Sequence, residues 1–184
     1  MDRYIAFDVE TPSNEPGCMS AIGIAVIENA RIIETCSTLV NPESYFAWFN
    51  IQLTGITPEA VADAPTFPEL WAQYGDLLQS GILLAHNASF DMRVLSSCLS
   101  RYALPAPAEL RYACTVQMGR RCYPDLPNHR LDTLCHARGI CLNHHRADSD
   151  ACACAALFLD YLSQGLDPAP FLRRYDLRAG RTIR

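Results

Sequence analysis

The chain has 184 residues, 49% hydrophobic and 19% charged, with a net charge of -5. That length and balance fit one compact domain, and the acidic charge excludes a protein that coats nucleic acid by bulk positive charge, though not an enzyme gripping a few nucleotides. No stretch resembles a membrane span and no basic-then-apolar leader opens the chain, so a cytoplasmic protein with no membrane partner is expected.

In chain order, residues 4–10 alternate Ile5, Phe7 and Val9 against Tyr4, Ala6, Asp8 and Glu10, the pattern of a strand. Residues 20–28 and 31–40 predict a hairpin around Glu28-Asn29-Ala30, and Pro42 ends the extended run. Thr57-Pro58-Glu59 opens a short helix capped by Thr57, and a second helix is expected over 67–78. Residues 81–85 read as a short buried strand, followed by a helix over 89–99 with Ser89 as its cap. After a loop at Pro105 and Pro107 come a strand at 110–114 and helices at 116–122 and 131–138, the last stopped by Gly139. The final helix spans 147–162, with Ala151, Ala155, Phe158 and Leu162 as its apolar stripe and Asp148 as its expected cap. Strands followed by alternating strand and helix predict an α/β sheet covered by helices. From Ser163 onward, Arg173, Arg174, Arg178, Arg181 and Arg184 outweigh Asp167 and Asp176; a solvated extension is expected there, with nucleic-acid contact as the alternative.

Nine scattered cysteines without a secretory signal read as reduced thiols, mostly small core residues. Cys135, Cys141, His144 and His145 hint at structural zinc, but no CxxC knuckle supports it.

Three separated segments carry the chemistry. Asp8 and Glu10, two apart on a strand, leave the same face at its carboxyl end, where open α/β sheets place their ligands. Asp91 falls in the first turn of one helix and Asp150 in the first turn of the last, with His145 in the loop before it. Each placement alone is unremarkable, since helix starts favour acids. Together, carboxylates that converge repel unless cations hold them, and hard oxygen ligands suit Mg²⁺ or Mn²⁺. Two such ions suit phosphodiester cleavage, with a histidine near neutrality as base. His145 is the candidate; His86, at a strand end, is expected to orient its loop.

Phe7-Asp8-Val9-Glu10-Thr11, His86-Asn87-Ala88-Ser89-Phe90-Asp91 and His145 with Asp150 resemble the motifs of the DEDD-type 3′–5′ exonucleases, in the histidine variant. Gly55-Ile56-Thr57-Pro58 and Asn128-His129-Arg130-Leu131-Asp132-Thr133-Leu134 add to the likeness, which covers residues 3–162. The resemblance implies an RNase H-like fold, a five-stranded mixed sheet flanked by helices, as an exonuclease domain over 1–162, with 163–184 as an Arg-rich extension. It implies that Asp8, Glu10 and Asp150 hold one divalent cation, that Asp8 bridges to a second, that Asp91 acts largely through water and that His145 is the general base. It further implies release of nucleoside 5′-monophosphates from the 3′ end of single-stranded nucleic acid, DNA favoured, possibly alongside a DNA polymerase. Thr11 would lie near the terminal sugar, Phe90 against the terminal nucleotide, and Leu53 and Ile56 between the last two bases. Two positions depart from the pattern: Thr54 stands where relatives often carry histidine, and Ala21-Ile22-Gly23 replaces Glu-Ile-Gly. The rival reading is a non-catalytic nucleic-acid-binding or polymerase-associated module on the same fold, though all four acids and His145 are present.

Overall fold

Strand β1 (Tyr4–Glu10) is buried along almost its whole length because each of its faces meets a helical layer. A computed structural model of the chain describes residues 3–183; Arg184, one of the basic residues of the tail, lies outside them, as do Met1 and Asp2. β1 pairs antiparallel with β2 (Ala21–Glu28), which turns through Asn29 and Ala30, both at positive φ, into the antiparallel β3 (Arg31–Leu39). On its other side β1 runs parallel to β4 (Ile82–Ala85), and β4 runs parallel to β5 (Glu109–Cys114).

The five expected strands are these. The sheet nevertheless has seven, in the order β3-β2-β1-β4-β5-β6-β7. β6 (Arg173–Asp176) pairs antiparallel with β5, and β7 (Arg181–Ile183) with β6. The expectation of five strands is therefore corrected to seven, while the tail arginines Arg173, Arg174, Arg178 and Arg181 remain exposed. Tyr175 is buried from β6 into the core and Leu177 follows it, so two apolar anchors hold the arginine-rich segment on the open edge of β5.

The alternation of β1 sorts its side chains between two cores. Ile5, Phe7 and Val9 pack with Phe67, Leu70 and Leu78 of α2 (Phe67–Gln79) and Met92 and Leu95 of α3 (Ser89–Arg101). Tyr4 and Ala6 face the opposite layer: Met118 of α4 (Thr115–Cys122), Leu134 of α5 (Leu131–Arg138), and Leu157, Phe158 and Tyr161 of α6 (Ala147–Ser163). Asp8 and Glu10 continue the Tyr4–Ala6 face.

Local signals differ from expectation at four places. A short helix, α1 (Trp48–Thr54), appears where none was expected; no side chain caps it, and it rests on tertiary bonds from Ala47 N to Pro12 O and from Asn50 Nδ2 to Thr11 O. The turn after Thr57 is a single 3-10 turn, Glu59–Val61. Ser89 does not cap α3, since Ala88 holds that position without a side-chain bond. Asp148 lies inside the first turn of α6 and pairs with Arg146, the residue at the cap.

Candidate active site

The site forms at the carboxyl end of β1, where α6 comes unusually close. Asp8 stands opposite Gly23 of β2, and a Cβ on Gly23 would lie 1.9 Å from the Ala147 carbonyl oxygen and 2.7 Å from Asp148 N. Only glycine admits the start of α6 at that distance. The approach carries Asp150 to the acids of β1: one oxygen each of Asp8, Glu10 and Asp150 lies within 4.8 Å of the others. Asp91, 2% exposed, arrives from α3, and its Oδ1 accepts a hydrogen bond from Val9 N at 3.3 Å, between the two β1 acids.

Their protonation is displaced as converging acids require. Burial, then the charges of Asp91, Glu10 and Asp150, raise the Asp8 pKa well above its ordinary value. Glu10 is pushed up to about 7 by burial and by Asp150. Asp91 is also pushed up to about 7, by burial against two backbone hydrogen bonds that oppose it. Burial raises Asp150 too, although His144 works against the rise. Among the described residues no Lys or Arg pairs with any of the four. Asp150 Oδ1 is buried without a partner. An oxygen-rich cluster with an orphaned buried carboxylate oxygen fits a hard divalent cation.

The two candidate histidines are chemically distinct. His86 Nε2 donates to the His129 carbonyl at 3.0 Å, which leaves Nδ1, 2.9 Å from Thr115 Oγ1, as the acceptor. With both nitrogens engaged and its pKa pushed down to about 4 by burial, His86 orients its loop and is unsuited to take a proton. His145 adopts a left-handed backbone (φ 66) and its N donates to Asp150 Oδ2 at 3.1 Å. Burial and the neighbouring His144 lower its pKa, which favours the neutral ring.

His144 was considered only beside Cys135, Cys141 and His145 as a hint of zinc, not as a partner of Asp150. Its Nδ1 lies 2.9 Å from Asp150 Oδ2, its ring stacks on His145 with centroids 4.0 Å apart, and the three residues form a second potential ligand group. Its adjacency to His145 was the sequence signal that pointed toward this position.

Thr11, Leu53 and Phe90 line one pocket of about 200 Å³ together with the acids. Ile56 lies instead in a neighbouring cleft with Thr54, His145 and Arg146. Asn50, which sequence reasoning missed, lines the first pocket and ties α1 to Thr11. Cys135 and Cys141 join no potential ligand group among the described residues, and all nine cysteines are free.

A family model described as Exonuclease matches residues 5–158. The chain belongs to the exonuclease family. The resemblance carried by the three acidic motifs holds at this level. The exonuclease chain is 35% identical over 165 residues to the DNA polymerase III PolC-type of Caldanaerobacter subterraneus, a match covering 88% of this chain and 12% of that protein. It is 31% identical over 168 residues to the 3′-5′ exonuclease DinG of Bacillus subtilis, covering 88% of this chain and 18% of that one. The chain thus spans less than a fifth of these relatives. A solved structure of exonuclease X in complex with 5′ overhanging duplex DNA superposes with a TM-score of 0.74 at 28% identity, covering 93% of the exonuclease chain and 97% of the other. Among the described residues no helix is long and apolar enough to cross a membrane.

Proposed function

We propose that the chain is a metal-dependent 3′–5′ exonuclease that removes nucleoside 5′-monophosphates from single-stranded nucleic acid. The convergence of Asp8, Glu10 and Asp150 within 4.8 Å, without an arginine paired to them among the described residues, carries this reading. Asp8, Glu10, Asp91 and Asp150 would hold two divalent cations, Mg²⁺ or Mn²⁺. When bound, these neutralise the carboxylates and polarise the scissile phosphodiester.

The remaining work belongs to side chains. The pocket of Thr11, Leu53 and Phe90 holds the terminal nucleoside; its apolar and aromatic walls accept any base. His145, neutral because burial lowers its pKa, takes the proton of the attacking water. The water oxygen bonds to phosphorus while the 3′ oxygen of the penultimate nucleotide leaves and takes a proton from solvent. His86 holds the loop between β4 and α3, and so the register of Asp91. The likeness to a segment of polymerase III proteins supports DNA as the substrate and a polymerase as a partner. Nine free thiols support a reducing, cytoplasmic compartment.

A digestion time course with 3′-labelled and 5′-labelled DNA and RNA oligomers tests this. Wild-type protein with Mn²⁺ should release labelled mononucleotide at once from the 3′-labelled strand and produce a descending ladder from the 5′-labelled one. Asp8→Ala should do neither. Undiminished cleavage by Asp8→Ala would reject the site.

A further inference from the structure

The carboxylate cluster opens in two directions, and only one of them is lined by positive charge. Two clefts, of about 200 and 630 Å³, share Asp8, His86, Asn87, His144, His145 and Asp150 as a common wall. The smaller holds Thr11, Leu53 and Phe90, and no arginine lines it. Arg120, in the last turn of α4, and Arg130, at the N-terminal boundary of α5, line the larger. We infer that the larger cleft is the track for the strand 5′ to the scissile bond, and that Arg120 and Arg130 hold its backbone phosphates.

This rests on the exonuclease reading and goes further by giving the substrate a direction. A phosphodiester centred on the carboxylates must leave its terminal nucleoside on one side and the rest of its chain on the other. A nucleoside needs a pocket for its base, whereas each further nucleotide brings a negative charge. Four carboxylates in a chain of net charge -5 repel such a polyanion unless local cations offset them. The two guanidiniums are available for that. Both residues are exposed, and the ion pairs among the described residues engage Arg3, Arg138, Arg146 and Arg174 instead. The chain has no lysine, so all 15 basic residues are arginines, whose planar fork matches two phosphate oxygens at once. Asp132 is the one further carboxylate on the wall of the larger cleft, and it is turned to its own helix start, where Oδ1 accepts from Thr133 N at 2.7 Å.

The test compares kcat/KM on a dinucleotide, a tetranucleotide and a hexanucleotide for wild type, Arg120→Ala, Arg130→Ala and the two lysine variants, with Arg31→Ala on the far edge of the sheet as control. A dinucleotide without a 5′ phosphate offers the scissile group and no upstream charge. Wild-type kcat/KM should rise with length. Each alanine variant should lose about tenfold on the longer substrates and far less on the dinucleotide, with partial recovery in the lysine variants. The slope of log kcat/KM against log salt should become shallower by about 0.7 for each phosphate that is no longer held, a change that loss of fold would not produce. Equal losses at every length, or an unchanged salt slope, would overturn the track. A wild-type protein that cleaves none of the substrates would overturn the exonuclease reading instead.

Discussion

Replacing Glu10 by Gln should stabilise the metal-free protein while removing its response to metal. Glu10 is 8% exposed, and burial and Asp150 push its pKa from 4.5 to about 7. A carboxyl whose pKa is higher in the folded than in the unfolded chain contributes full stability below the unfolded value, here 4.5, and loses it as pH rises to about 7. At about pH 8 the ionised group therefore costs roughly 3 kcal/mol, falling to below about 1 kcal/mol near pH 5. The amide is uncharged and nearly isosteric, so it escapes that cost. For a chain of 184 residues, at about 2–4 °C per kcal/mol, Glu10→Gln should raise Tm by up to about 10 °C near pH 8 and by less than about 3 °C near pH 5 in chelator-containing buffer. Mn²⁺ should reverse the order. A site filled at a hundred times its Kd adds about 2.7 kcal/mol to the wild type, and the variant, short of a ligand, should gain much less. Differential scanning fluorimetry across pH, with and without Mn²⁺, reads all four conditions. A lower Tm for Glu10→Gln without metal near pH 8, or equal gains of both proteins from Mn²⁺, would refute the reasoning.

Other outcomes follow from single side chains. His145→Ala should lower the rate by about 10²–10⁴-fold while the Mn²⁺-dependent thermal shift survives; loss of the shift would make His145 a ligand rather than a base. Gly23→Ala, whose Cβ would sit 1.9 Å from the Ala147 carbonyl oxygen, should force α6 away from β2, cost about 1–3 kcal/mol in urea denaturation and weaken Mn²⁺ binding at the same time. Wild-type metal affinity in that variant would show that the close approach does not position Asp150. Tyr161 is fully buried with a hydroxyl that has no partner among the described residues, so Tyr161→Phe should add about 1 kcal/mol of stability without altering the rate, and a loss of stability would point to a bond at that oxygen.

Much of the fold was legible because periodicity and tertiary burial agree. The alternation from Tyr4 to Glu10 matches the division of β1 between two cores, and the apolar run at Ile82–Ala85 matches a strand covered on both faces. The misses share a cause. α1 has no capping side chain and exposes Trp48 and Phe49, so it carries no amphipathic signature and depends on bonds to Pro12 and Thr11. β6 offers one fully buried residue, Tyr175, in Arg173–Asp176, too few for a period of two to register. The meeting of the four acids and His145 at the end of β1 was legible because their motifs come in a specific order and spacing. The bonds of His144 to Asp150 and of Asn50 to Thr11 were not legible, because they cross turns that sequence spacing does not display. Ile56 lines the neighbouring cleft rather than the pocket of Leu53 because Gly55 turns the chain between them with φ 72.

The dependence of the cluster on α6 has a consequence for biosynthesis. Asp8 and Glu10 are synthesised before Asp150, which arrives only with a helix that must also cover β1 and β2 before its carboxylate reaches them. A polypeptide that stops short of α6 therefore carries Asp8, Glu10 and Asp91 without the carboxylate that closes the cluster. On the proposed assignment of the site, nuclease chemistry waits until α6 has been made and has folded against the sheet.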